Sequence, residues 1–239
     1  MFASCVLNHV VRVLRLVTTK AKEAKRRIVV CSGVEVLMDQ ASRLSRAKVS
    51  GATNSLLLDL LRVILSVAET TSPIRAIFAA NQVKTVLQLC MWPEPKLRRV
   101  AAKLLERLAQ LEESKVLLCE LGAVPLLLSM AKLADPHVQH TASCILAELA
   151  EEPAKRTFLV SSGALLTMIS LSRSRDTRIK FQAARAIADL AEAFENRMQI
   201  VYAALADLRG WLVESDDERV QEHAMRCGGD SPAPSAAII

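Results

Sequence analysis

The chain has 239 residues, 51% of them apolar, with a formal net charge of +6. That is enough apolar material to bury a sizeable core, which excludes a disordered chain, and no run approaches the roughly 18 apolar residues that a membrane-crossing helix needs. Seven Gly, eight Pro and 3% aromatics beside abundant Leu, Ala, Lys and Glu indicate packed amphipathic helices rather than sheets, so an all-α fold is expected. Residues 1–62 hold eleven Lys/Arg against four Asp/Glu and the rest twenty against twenty-one, so the positive charge belongs to the N-terminal quarter. Six cysteines stand singly without a C-x-x-C pair, which argues against a zinc site or a disulfide framework and for a reducing compartment.

Residues 1–27 read as a basic amphipathic helix. No acid precedes Glu23, and Phe2, Val6, Val10, Val13 and Val17 recur at helical spacing. A mitochondrial presequence would look similar, but a helix capping a repeat array accounts for the same spacing, and a cytoplasmic or nuclear location is preferred. That array spans residues 28–226. Its first unit is degenerate, with Gly33 at a turn, Val34 to Leu44 as a helix, a loop from Ala47 to Asn54, and Ser55 to Ala68 as a longer helix.

From there the chain repeats itself with a period of 41. Segments starting at Asn81, Gly122, Gly163 and Ala204 align without gaps, so that Asp135 matches Asp176 and Asp217, and Ala142 matches Ala101, Ala183 and Ala224. Each unit reads as a short helix, a turn at Gly or Asn, a second helix, a polar break and a longer third helix. Val124-Pro125 opens a second helix; Glu94-Pro95, Asp135-Pro136 and Asp176-Thr177 open third helices, an N-cap acid preceding the first turn. Inside the third helix Val138, Ala142, Ile145, Leu146 and Leu149 make an apolar stripe that only stacking can bury. The last unit is cut short at Arg226, and residues 227–239 lose all periodicity and are expected to be disordered. A fragment of a longer protein would end in the same way.

At these residues the chain resembles the armadillo-repeat family, with small turn residues in "ELGAVPLLLSMAKL" and "SSGALLTMISLSRS" and Ala-rich third helices in "TASCILAELAEE" and "QAARAIADLAEA". The HEAT variety of solenoid is the nearest rival. The resemblance implies a right-handed α-solenoid of about four to five three-helix repeats whose third helices line an inner groove. Armadillo proteins that bind nuclear-localisation peptides carry a ladder of Trp and, four residues later, Asn. Here the ladder positions are Arg62 and Ser66, Lys103 and Arg107, Cys144 and Glu148, Arg185 and Asp189, so importin-like cargo binding is disfavoured. Arg99 joins the basic residues toward the N-terminal half; Glu148, Glu151, Asp189 and Glu192 make the other half acidic, with Arg185 the exception.

Chemistry is otherwise absent. No G-x-S-x-G, phosphate loop, H-E-x-x-H or G-x-G-x-x-G occurs, so no enzyme, cofactor or metal is expected, and a small-molecule substrate is disfavoured. His137 and His140 lack companion ligands between them, and Cys90, Cys119 and Cys144 read as small hydrophobes in or near the core. The run Lys20-x-Lys22-x-x-Lys25-Arg26-Arg27 has no aromatics nearby for base stacking, which disfavours nucleic acid. The expected function is a non-catalytic scaffold or adaptor. Its groove, formed by Arg62, Arg99, Lys103, Arg107, Cys144, Glu148, Arg185 and Asp189, would hold an acidic or phosphorylated protein segment. The alternative is the regulatory part of a larger enzyme, a ubiquitin ligase or a hydrolase.

Overall fold

A computed structural model describes residues 2–47, 49–69, 74, 75, 77 and 82–197. The Asn81 turn, the unit starting at Ala204 and the tail 227–239 lie outside the described residues. Among those residues there is no strand; besides helical residues at 74, 75, 77 and 194–197, the helices with described bounds are twelve. They are α1 (Phe2–Lys20), α2 (Lys22–Val30), α3 (Gly33–Ser45), α4 (Gly51–Val67), α5 (Val83–Leu89), α6 (Pro95–Ala109), α7 (Glu112–Glu120), α8 (Ala123–Ala131), α9 (Pro136–Ala150), α10 (Pro153–Ser161), α11 (Ala164–Ser172) and α12 (Thr177–Ala191). The chain divides into two compact units between Ala123 and Val124.

Within each unit the long helices pack side by side, α1 on α4 and α4 on α6 in the first, α9 on α12 in the second, with shorter helices laid against them. The starts explain themselves. Asp135 accepts the His137 amide at 3.1 Å and Asp176 the Arg178 amide at 3.0 Å, each satisfying a donor that the first turn leaves over. Glu94 makes no such bond; Pro95, with no amide hydrogen to satisfy, starts α6. The expected stripe is buried at Val138, Ala142, Ile145, Leu146 and Leu149.

A contact that recurs at three junctions ties α6, α9 and α12 to the residues that follow them. Ser114 donates to the Leu108 carbonyl, Arg156 to the Ala150 carbonyl at 2.9 Å, and Asn196 to the Leu190 carbonyl at 3.0 Å. Each donor lies six residues beyond its acceptor, so a side chain of the following helix caps a carbonyl the long helix cannot satisfy itself.

The first unit departs from the sequence expectation in three respects. The helix expected through Arg27 breaks at Ala21, whose backbone is extended, and α2 then stands where α7 and α10 stand in later repeats. The spacing shows this: Lys22 and Gly33, Glu112 and Ala123, Pro153 and Ala164 are first- and second-helix starts separated by the same step. The left-handed turn residue, expected at Gly33, is Ser32 with φ 53°, matching Gly122 at 68° and Gly163 at 90°. Gly33 serves closeness instead, since a Cβ there would stand 2.8 Å from the Ile28 carbonyl oxygen. Finally, the loop expected over Ala47 to Asn54 gives way to helix from Gly51 onward. Ser50 caps α4 by accepting the Thr53 amide at 3.1 Å, and α3 runs 13 residues where α8 and α11 run nine.

Candidate ladder face

Counting back from the first-helix starts places α1 among the third helices. Val13, Lys103 and Cys144 all fall nine residues before Lys22, Glu112 and Pro153. Burial agrees: Val11, Ala101, Ala142 and Ala183 are buried at one equivalent position, and Thr18, Leu108, Leu149 and Leu190 at another. The ladder of the first unit therefore reads Val13, Arg62, Lys103 at one position and Val17, Ser66, Arg107 four residues later.

On α4, exposed Arg62 has Nη1 3.7 Å from Asp59, whose carboxylate also takes Arg15 of α1 at 2.6 Å. Exposed Arg99 and Lys103 lie on α6. Arg107 is half-buried, and its Nη1 donates to the Ala68 carbonyl at 2.9 Å, where a cation meets the negative end of the α4 dipole. Beside it, Lys25 bonds Glu69 at 2.7 Å. That hydrogen bond holds the Glu69 carboxyl below its ordinary value against the upward pull of burial, and Lys25, Arg107 and Lys22 all add to it electrostatically. Sequence reasoning found Arg62, Arg99, Lys103 and Arg107 but set Lys22 and Lys25 aside as a solvated face. Their three-residue spacing carries no sign that α2 would bring them to the end of α4.

The second unit holds the other four expected residues. Cys144 and Glu148 lie on α9, and the Cys144 sulfur stands 3.6 Å from the His140 ring. Arg185 and Asp189 lie on α12. Arg185 pairs with Glu148 at 3.5 Å and with Glu151, while Glu192 takes Arg156 at 2.8 Å. Burial lowers the pKa of the Arg185 guanidinium, but the hydrogen bond to Glu151 and the charges of Glu151, Glu148 and Asp189 outweigh it, leaving the pKa raised. In this strip Glu148, Glu151 and Glu192 are paired with this unit's own arginines, and Asp189 is buried. A cleft of about 650 Å³ in this unit, lined by Leu128, Lys132, Leu166, Ser170 and Arg173, lies against α8 and α11 and includes none of the ladder residues.

The cysteines divide by burial. Cys90 is buried, and desolvation pushes its thiol far up; Cys119 and Cys144 are half-buried.

No family model and no curated protein sequence matches the chain. Among solved structures, an engineered protein aligns at 25% identity with a TM-score of 0.75, over 94% of this chain and 89% of that one. A computationally designed armadillo repeat protein for modular peptide recognition aligns at 19% identity with a TM-score of 0.78, over 92% and 90%. The fold is the armadillo-repeat fold. Another designed armadillo repeat protein, solved in complex with the peptide (KR)4, aligns at 19% identity with a TM-score of 0.75, over 92% and 90%. In armadillo terms α1, α4, α6, α9 and α12 are third helices, and the ladder face is the exposed side of those helices.

Proposed function

We propose that the chain is a non-catalytic protein-interaction scaffold whose first unit binds an acidic or phosphorylated segment of a partner along the ladder face. The observation that carries this is the recurrence of an exposed cation at one position of neighbouring third helices, Arg62 on α4 and Lys103 on α6. The equivalent cation of the second unit, Arg185, is committed to Glu148 and Glu151, which narrows the binding strip to the first unit.

The designed relative takes a Lys/Arg peptide; the cations here favour the opposite sign. Guanidinium and ammonium groups take carboxylates or phosphates through charge-assisted hydrogen bonds. Exposed pairs contribute about 0–1 kcal/mol each, so several rungs must act together. Packing of α1 onto α4 supports its retention in the folded protein, in a cytoplasmic or nuclear pool.

The test is fluorescence anisotropy of the full chain with labelled (Glu-Asp)4, its phosphoserine counterpart and (Lys-Arg)4. We expect the two anionic peptides to bind, and binding to fall as salt rises from roughly 0.1 M to 1 M, where the Debye length shrinks from about 10 Å to about 3 Å. Arg62→Gln with Lys103→Glu should remove binding without changing the melting curve. This pair avoids Arg107, whose carbonyl contact would mix stability into the readout. Equal affinity for (Lys-Arg)4, or wild-type affinity in the double variant, would refute the strip.

A further inference from the structure

On α4 and α6 one equivalent position reaches the helix before it. Ser66 of α4 donates to the Thr18 carbonyl of α1, Asp59 of α4 receives Arg15 of α1, and Arg107 of α6 reaches the Ala68 carbonyl at the end of α4. On α1 the residue equivalent to Ser66 and Arg107 is Val17, and the residue equivalent to Asp59 is Val10. Val13 lies between them. These valines are 49% (Val10), 57% (Val13) and 42% (Val17) exposed, while Val11 and Thr18 on the packed side are 1% and 0% exposed.

Val10, Val13 and Val17 of the amphipathic stripe are therefore not the seam that holds α1 to α4. A helix that closes an array presents a polar outer face; α1 presents valines at i, i+3 and i+7, the spacing of a helix-packing seam. Around that stripe the charge has one sign. Arg12 and Lys22 are exposed, and no Asp or Glu precedes Glu23.

We propose that the valine stripe of α1 is a docking seat for an amphipathic helix of a partner protein, with an aliphatic face and acidic flanks, lying along α1 as α1 lies along α4. A helix is the fitting occupant because Ser66 and Arg107, the equivalents of Val17, and Asp59, the equivalent of Val10, each reach the preceding helix. Charge selects its flanks. A second copy of α1 would bring another Arg12 into the same field and be repelled, and a lipid surface would not reproduce the helix-to-helix contacts of Ser66 and Arg107. The inference goes beyond the acidic strip and uses different residues.

The full chain is titrated with a labelled synthetic helix of about 18 residues, Leu on one face and Glu on both flanks, and with a version carrying Lys flanks. The Glu-flanked helix should bind, and the Lys-flanked one about tenfold more weakly. Val13→Asp with Val17→Asp should weaken binding at least about tenfold, and Val13→Ser with Val17→Ser should weaken it less. Both variants should keep the wild-type helical spectrum, since the side chains are exposed. Lys103→Glu should leave this binding unchanged, so that failure of the ladder strip and failure of the valine seat are read separately. Undiminished binding in the Ser variant and the Asp variant, or equal affinity for the two flank chemistries, would overturn the proposal. So would a dimer in light scattering that the Asp variant dissolves, which would seat a second copy there. Capture of phosphatidylserine vesicles through the valines, with no peptide binding, would assign the stripe to a membrane instead.

Discussion

Ser32 is a side chain held where glycine stands in later repeats. Its φ of 53° costs about 1 kcal/mol relative to glycine, part of which glycine would return through unfolded-chain entropy. Ser32→Gly should therefore raise stability by about 0.5 kcal/mol, read from the urea midpoint. Gly33→Ala should act in the other direction by about 1–3 kcal/mol, because the new methyl would meet the Ile28 backbone at 2.8 Å. The opposite ordering would mean that Gly33 and not Ser32 occupies the turn. Sequence alone favoured Gly33 for a physical reason that holds on average: a glycine next to a turn is the default owner of a positive φ. What it could not reveal is the close approach of Ile28, which requires glycine one residue later. Arg156 is a second residue whose role was invisible. Buried between two carbonyls and Glu192, it is matched one period later by Arg197, which donates to the Ala191 carbonyl at 3.2 Å, and one period earlier by Lys115, so the alignment shows a recurring cation but not the carbonyls it caps. Arg156→Met leaves those carbonyls unpaired and should cost about 2 kcal/mol in chemical denaturation; a change within error would show that the junction holds without it.

Among elements, the period of 41 and the capping acids made the helices of the second unit legible almost residue by residue. Leu146, placed in the stripe by spacing alone, is 2% exposed. Leu146→Asp should thus cost about 3–5 kcal/mol and lower the thermal midpoint while the spectrum at low temperature stays helical. A mutant melting with wild type would break the register on which the ladder depends. The helix hardest to place was α1. Its stripe was visible, yet register is set by the first helix after it, and the break at Ala21 carries neither Gly nor Pro to announce it. A sequence therefore showed that α1 is amphipathic without showing which face it buries, and the face it buries is the less conspicuous one. The ladder pairing of Arg185 with Glu148 was likewise within reach of repeat alignment, since both are ladder positions of adjacent repeats, but their mutual neutralisation needed coordinates.

At the scale of the molecule, two carboxyls among the described residues are held below their ordinary range by hydrogen bonds, Glu69 by Lys25 and Asp176 by Arg178. Their folded values lie under the unfolded ones, so their contribution is present above the ordinary carboxylate range and is lost as pH falls through the folded values. The thermal midpoint should accordingly stay level from about pH 8 to pH 5 and decline below about pH 4, with Glu69→Gln removing part of the decline. A decline beginning near neutrality would point to other groups.

The lengthening of α3 and α4 has a further consequence for how such a chain can change. Residues additional to the usual spacing between Gly33 and the third helix have been taken up as extra helical turns at the ends facing the Arg46–Ser50 connection, while Arg62 still aligns with Lys103. Length has thus been absorbed at the rim without moving the rungs. Added length at this edge leaves Arg62 and Lys103 in register, so a reporter group grafted here would follow the proposed binding without touching those rungs.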